Sequence, residues 1–187
     1  MITLPVVTLI APNGGEVLRG GGTYTITWTA TDIHFGTTPI ALAYSTDGGT
    51  TFSNTITTAT ENDGSYVWTV PGTESTNVQI QVAATDLAGN SDTDASDANF
   101  SLDNTAPTVA LTAPNGGELL RGGGTFTITW TASDAHFGAQ PIALHYSTDG
   151  CATFPYTITT ATENDGSYVW SVPALESTTV RVRVTAT

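Results

Sequence analysis

The chain has 187 residues and a net charge of −13, from 17 carboxylates against four arginines and no lysine. Such a surface repels phosphate backbones and anionic headgroups, so neither nucleic acid nor membrane insertion is expected. The single cysteine, Cys151, excludes an internal disulfide, and no apolar run reaches the roughly 18 residues of a membrane-spanning helix.

The chain opens on MITLPVVTLI. This run has no basic flank and no small-residue cleavage site, so it does not read as a signal peptide. Met1 is taken as the start of a piece of something longer. Threonine supplies 38 of the 187 residues, and its β-branch favours extended backbone. In chain order, strands are predicted over about 6–11 (A), 17–20 (A′), 23–31 (B), 40–46 (C), 52–60 (C′/D), 65–70 (E), 78–85 (F) and 98–103 (G). Strand B shows the clearest period of two, with Tyr24, Ile26, Trp28 and Ala30 between threonines. Strand F places Val78, Ile80 and Val82 inward and Gln79 and Gln81 outward, and strand E points Tyr66, Trp68 and Val70 one way. The turn signals PNGG, GGG, STDGG, NDG and PGT separate these runs, and no segment has useful helical periodicity.

Shifted by 102 residues, the chain overlays itself: 5–85 against 107–187 gives 59 identities in 81 positions without a gap. A period near 100 residues is too long for a solenoid unit and fits a β-sandwich module. The fold class predicted is all-β, two tandem Ig-like antiparallel β-sandwich domains, at residues 1–105 and 106–187. The second copy reaches Thr187 at the end of strand F, so it is expected to lack its last strand. That leaves an open sheet edge, read either as a trimmed fragment or as a groove filled by a strand of a neighbouring chain, with MITLPVVTL as a candidate donor and head-to-tail assembly as the consequence.

The PNGGE opening with its later ITW, the ATDLAGN turn and the DNTAPTV junction resemble tandem bacterial or archaeal Ig-like repeats of large secreted and surface proteins, including the Kre9/Knh1-like type. The resemblance covers residues 5–187. It implies a stalk or spacer, often stiffened by calcium, in an extracellular adhesin-type protein whose partners are neighbouring repeats or copies of itself, with a glycan or cell-surface ligand in reserve. STDGGTTF at 45–52 also resembles an Asp-box, which is a hairpin turn rather than an active site.

Calcium takes six to eight oxygen ligands. Asp32 ends strand B and Asp86 ends strand F, which puts both at one pole, and the F–G loop adds Asn90, Asp92 and Asp94. Two readings stand side by side: an ion site, or carboxylates that end strands and cap turns. A second candidate site lies at the junction, where Asp103, Asn104, Glu16 and Glu74 are expected at the other pole of the first domain and Asp134 approaches from the second. The competing reading is a rim of solvated charge.

Other motifs point to structure. His34 and His136 stand one per loop, too few for a closed transition-metal site. Glu61 and Asp63 flank a turn before strand E, not a cleft, and Asn62-Asp63-Gly64 is a hairpin signal. No nucleophilic triad or phosphate loop occurs, so no enzyme is predicted. Cys151 replaces the second glycine of the STDGG turn in copy two, which makes that turn less ideal. Phe35, Phe137 and Tyr156 are the candidates for sugar stacking, the basis of an alternative role as a carbohydrate-binding accessory module of a secreted hydrolase. The four tryptophans, Trp28, Trp68, Trp130 and Trp170, are in phase with inward residues and belong to the cores.

Overall fold

The computed structural model describes residues 3–187. The chain divides into two compact units, the first ending at Asn104 and the second running Thr105–Thr187. Among the described residues all regular structure is β.

Unit 1 contains nine strands among the described residues: β1 (Val6–Ala11), β2 (Val17–Arg19), β3 (Thr23–Thr31), β4 (Phe35–Ser45), β5 (Asn54–Thr60), β6 (Ser65–Thr69), β7 (Ser75–Asp86), β8 (Ser91–Ala95) and β9 (Phe100–Asp103). One sheet has the order β1-β3-β6, the other β2-β9-β7-β4-β5, and β8 also pairs with β7. The pairings are antiparallel except β2 with β9, which run parallel in the register Val17↔Ser101 to Arg19↔Asp103. The inward sets read from the alternation meet between the sheets: Ile26, Trp28, Trp68, Val70, Val78, Ile80 and Val82 are all buried in one core. Threonines on the outward side of β3 keep the strand extended and wet.

Unit 2 contains six strands among the described residues: β10 (Thr108–Ala113), β11 (Thr125–Ser133), β12 (Ile142–Ser147), β13 (Tyr156–Thr162), β14 (Ser167–Ser171) and β15 (Arg181–Ala186). Its sheets have the orders β10-β11-β14 and β13-β12-β15. Ile128, Trp130, Ile142, Leu144 and Trp170 form its buried centre.

Three features depart from the sequence reading. The stretch expected to be an F–G loop contains a strand, β8, which pairs along β7 from Gln81↔Ala95 to Thr85↔Ser91. It escapes the apolar alternation because its half-buried positions are Asp92 and Asp94. Asn62-Asp63-Gly64 is a turn but not a hairpin, since it joins β5 and β6 in different sheets. Its asparagine serves the core instead. Asn62 Oδ1 accepts the Trp28 indole N–H at 3.1 Å and Asn62 Nδ2 donates to Ala30 O at 2.9 Å. Asn164 repeats both bonds with Trp130 and Ala132. Finally, the proposed donor run is already a strand: Val6–Ala11 is β1, paired with β3, with Val7 and Leu9 in the core. Met1 and Ile2 lie outside the described residues.

Candidate functional site

At the first predicted pole the β3–β4 and β7–β8 turns do meet, with Leu87 N–H donating to His34 O at 3.0 Å. The carboxylates there are engaged by amides. Asp32 Oδ1 accepts from His34 N at 2.6 Å, and the His34 imidazole stands 3.9 Å from the same oxygen. Asp86 Oδ1 accepts from Ala88 N and Asn90 N, both at 2.8 Å, and its Oδ2 from Asn90 Nδ2 at 2.7 Å. The Asn90 side chain and these amides hold the Asp86 carboxyl below the usual carboxylate range. Asn90 thus donates to Asp86, and in this arrangement the two side chains bind each other. Asp92 Oδ2 accepts Val7 N at 3.2 Å and Asp94 Oδ2 accepts Leu9 N at 2.8 Å, so β8 is fastened to β1 by side chains. Among the described residues, Asp32, Asp86 and Asp92 belong to no trio of acidic or histidine side chains close enough to share one ion.

The second predicted set divides. Asp103 and Glu74 place carboxylate oxygens within 4.8 Å of each other. Asn104 N–H donates to Glu74 Oε2 at 3.0 Å, and Asn104 Nδ2 to Gly72 O at 3.2 Å. Glu16 is not at this end. It precedes β2, whose register puts Asp103 opposite Arg19, and Glu16 O accepts from Ser101 N at 2.8 Å. The Glu16 carboxylate closes its own turn, accepting Asn13 N and Gly14 N at 2.8 Å each. Glu118 does the same in unit 2 and is held below its ordinary range by those turn amides. Asp134 belongs to unit 2, where its Oδ1 accepts His136 N at 2.7 Å.

The STDGG turns are closed units. Ser45 Oγ donates to Asp47 Oδ1 at 2.6 Å, Thr51 N to the same oxygen at 2.9 Å, and Thr51 Oγ1 to Oδ2 at 2.7 Å. The Ser45 bond, then the Thr51 bonds, bring the Asp47 carboxyl down to about 2, and Ser147 and Thr153 bring Asp149 to about 2 in the same way. Cys151 has φ 90, the one non-glycine residue at positive φ among the described residues. It stands where unit 1 has Gly49, at φ 81, on which a Cβ would come 2.2 Å from Gln79 Oε1. Unit 2 has Arg181 in place of Gln79.

Of the sugar-stacking candidates, Phe35 packs against the core of unit 1 and Phe137 is half-buried. Tyr156 is exposed and stacks on Tyr146, ring centroids 4.7 Å apart. The four tryptophans are buried.

Unit 2 carries a groove of about 550 Å³. Its apolar wall includes Leu111, Leu120, Trp170, Val172, Val180 and Val182. The counterparts Leu9, Leu18, Trp68, Val70, Val78 and Ile80 are buried in unit 1, in one core with Phe100 and Leu102 from β9. The alternation of Phe100 and Leu102 is the sequence feature from which a groove is expected; which side chains form the wall opposite them depends on the sheet order.

Residues 11–102 match the Kre9/KNH-like N-terminal Ig-like domain, and residues 107–184 match a bacterial Ig domain. No curated protein matches the chain. Among solved structures, the fibronectin(III)-like modules of Clostridium thermocellum CbhA are 18% identical, with 89% of this chain and 79% of that chain covered and a TM-score of 0.46. A chimeric titin Z1Z2 functionalized with a KLER exogenous peptide from decorin is 16% identical, covering 99% and 91%, with a TM-score of 0.38.

Proposed function

For a chain that is a tandem of two Ig-like domains, we propose a non-catalytic structural role, as a spacer or stalk repeat in a secreted or surface-attached protein, with adhesion as the broader setting. The observation that supports it most is the use of the acids. Asp32, Asp47, Asp86, Asp92, Asp94 and Glu16 all accept amide hydrogens of their own unit. A catalytic pair needs carboxylates aimed into a cleft, whereas these tie turns and strands together. Both family matches are to Ig-like domains, which is consistent with a non-catalytic module. Pulling the chain from its two ends tests the spacer reading. Two discrete unfolding steps are expected, each releasing chain at about 3.3–3.6 Å per residue. Smooth extension at low force would remove the reading.

Calcium enters this proposal at the end of β9, where Glu74, Asp103 and Asn104 come together. Thermal denaturation in calcium and in EDTA is expected to shift the unit 1 transition upward by a few degrees in calcium, roughly what 1 kcal/mol produces in a domain this size. Superimposable curves would remove the ion and leave the spacer.

A further inference from the structure

We propose that the outward face of the β13-β12-β15 sheet of unit 2 binds a carboxylate-bearing polysaccharide, with Arg183 and His145 as the anion contacts. The two copies differ there in one direction. Over the 81 aligned positions, Ala43, Gln79 and Gln81 of unit 1 become His145, Arg181 and Arg183 in unit 2, and no position gains or loses a carboxylate. All three replacements fall on one face. Val182 and Val184 pack against the core, so Arg181 and Arg183, alternating with them, stand on the outward side. His145 alternates in the same way with Leu144 and Tyr146. Register then makes a row: His145 on β12 lies opposite Arg183 on β15 and opposite Thr157 on β13. At about 4.8 Å between strands, this hydroxyl, imidazole and guanidinium span about 10 Å.

The fold itself does not need these groups. Ala43 fills the place of His145 in unit 1, and His145 Nδ1 is buried without a hydrogen-bond partner among the described residues. Arg183 has no carboxylate partner among the described residues, in a chain of 17 carboxylates and four arginines. Its guanidinium lies on the Phe154 ring, 4.7 Å from the centroid. Stacking holds the planar fork in place and leaves its N–H edge for a carboxylate. Charge directs an anion to this unit, since unit 2 carries six carboxylates and three arginines and unit 1 eleven and one. Strand order favours a polysaccharide over an acidic peptide. β12 is paired on both sides, so its main chain has nothing to offer an added strand, and recognition rests on side chains alone. A uronic acid presents a planar carboxylate to Arg183, hydroxyls to Thr157 and His145, and ring C–H groups to Phe154. Tyr156 is outside this site: it pairs with Tyr146, whose ring packs on Trp170, and so belongs to the other face.

The inference goes beyond the spacer role and does not rest on it: a sheet face binds sugar whether or not the chain bears load, and the two fail in different experiments. Hexamers of galacturonate, of mannuronate and of alternating glucuronate and N-acetylglucosamine are titrated into the full 187-residue chain by calorimetry. The methyl-esterified galacturonate hexamer and hexaglutamate serve as comparators. Saturable binding of at least one uronate hexamer is expected, weakened by salt, lost on esterification, and with amide shift changes confined to β12, β13 and β15. Each substitution restores the residue that unit 1 carries at that place, and the unit 2 melting temperature checks that the fold is kept. Arg183→Gln should lose about tenfold or more in affinity and His145→Ala about threefold. Arg181→Gln, one step along the strand from the row, should lose less than Arg183→Gln, and Tyr156→Asn should change nothing. No binding of any uronate hexamer, equal binding of the ester, unchanged affinity in Arg183→Gln, or shift changes in unit 1 overturns the proposal. Tighter binding of hexaglutamate also overturns it, in favour of an acidic protein partner.

Discussion

The two units share 59 of 81 aligned residues, yet β2 (Val17–Arg19) has no strand counterpart at 119–121. Nor does the difference stop there. β7 has twelve residues and β15 six, and β4 has eleven against six in β12. Each loss falls where β8 or β9, or the end of β7, provides the partner. β2 pairs only with β9, the first residues of β7 pair with β9, and Phe35 at the head of β4 pairs with Asp86. Burial follows cover rather than pairing alone, since Val7 and Val109 pair alike with Ala30 and Ala132 but only Val7 lies against β8. Val7 is 6% exposed and Val109 37%, while Leu119 at the position of Val17 is 101% exposed. Near-identical local sequence thus gives a strand or an irregular segment according to whether a distant ladder exists, because extended backbone with unpaired amides holds little stability alone.

The comparison breaks most strongly at the anchors of β9. Phe100→Ala is expected to cost about 3–5 kcal/mol and Leu102→Ala about 2–5 kcal/mol in denaturant unfolding of unit 1. The same variants should speed amide exchange at Leu18 and Val78 and so make unit 1 resemble unit 2. Unchanged exchange at Leu18 would mean that β2 stands without β9.

Next in size is the feature the units share. Asn62→Ala strips the buried Trp28 indole N–H of its acceptor, and Asn164→Ala does the same to Trp130. Each should lose about 1–3 kcal/mol in its own unit. Equal losses confirm that this bond is independent of the β8–β9 edge, and unequal losses show that the edge is felt across the core.

The STDGG turns give a smaller asymmetry. Cys151→Gly should stabilise unit 2 by about 1 kcal/mol, since a non-glycine residue is strained at φ 90. Gly49→Cys should destabilise unit 1 by more than that, because its Cβ meets Gln79 Oε1, which Asn99 Oδ1 holds through Gln79 Nε2 at 2.9 Å. Adding Gln79→Arg should recover part of the loss; no recovery would place the strain in the backbone alone.

The smallest effect is pH. Asp47 and Asp149 are both depressed to about 2 from an ordinary 3.8. Their contribution to stability is therefore complete above about pH 4 and is lost as pH falls through about 2. Acid titration of Tm should show this in both units alike, and Asp47→Asn or Asp149→Asn should flatten it in one unit only. Both carboxyls are solvent-accessible, so the slope is expected to be shallow.

The sequence by itself determined the all-β class, the two-copy organisation and the inward faces of strands B, E and F. Those properties are local: a period of two at Tyr24–Ala30 or Val78–Val82 states which side faces the core, and the offset of 102 residues states the repeat. The carboxylate caps were half legible. The positions of Asp32 and Asp86 at strand ends are sequence facts, but which amides they accept depends on turn geometry. Only the tertiary structure decided the rest. Asp92 and Asp94 lie on a strand because β7 has room for a partner and β1 has two amides to offer. Glu16 and Asp103 sit at opposite ends of β9 because β2 runs parallel to it. Asn62 serves Trp28, 34 residues away in the chain. These are long-range pairings, and single-sequence alternation carries no information about which distant chain will supply the missing hydrogen bonds.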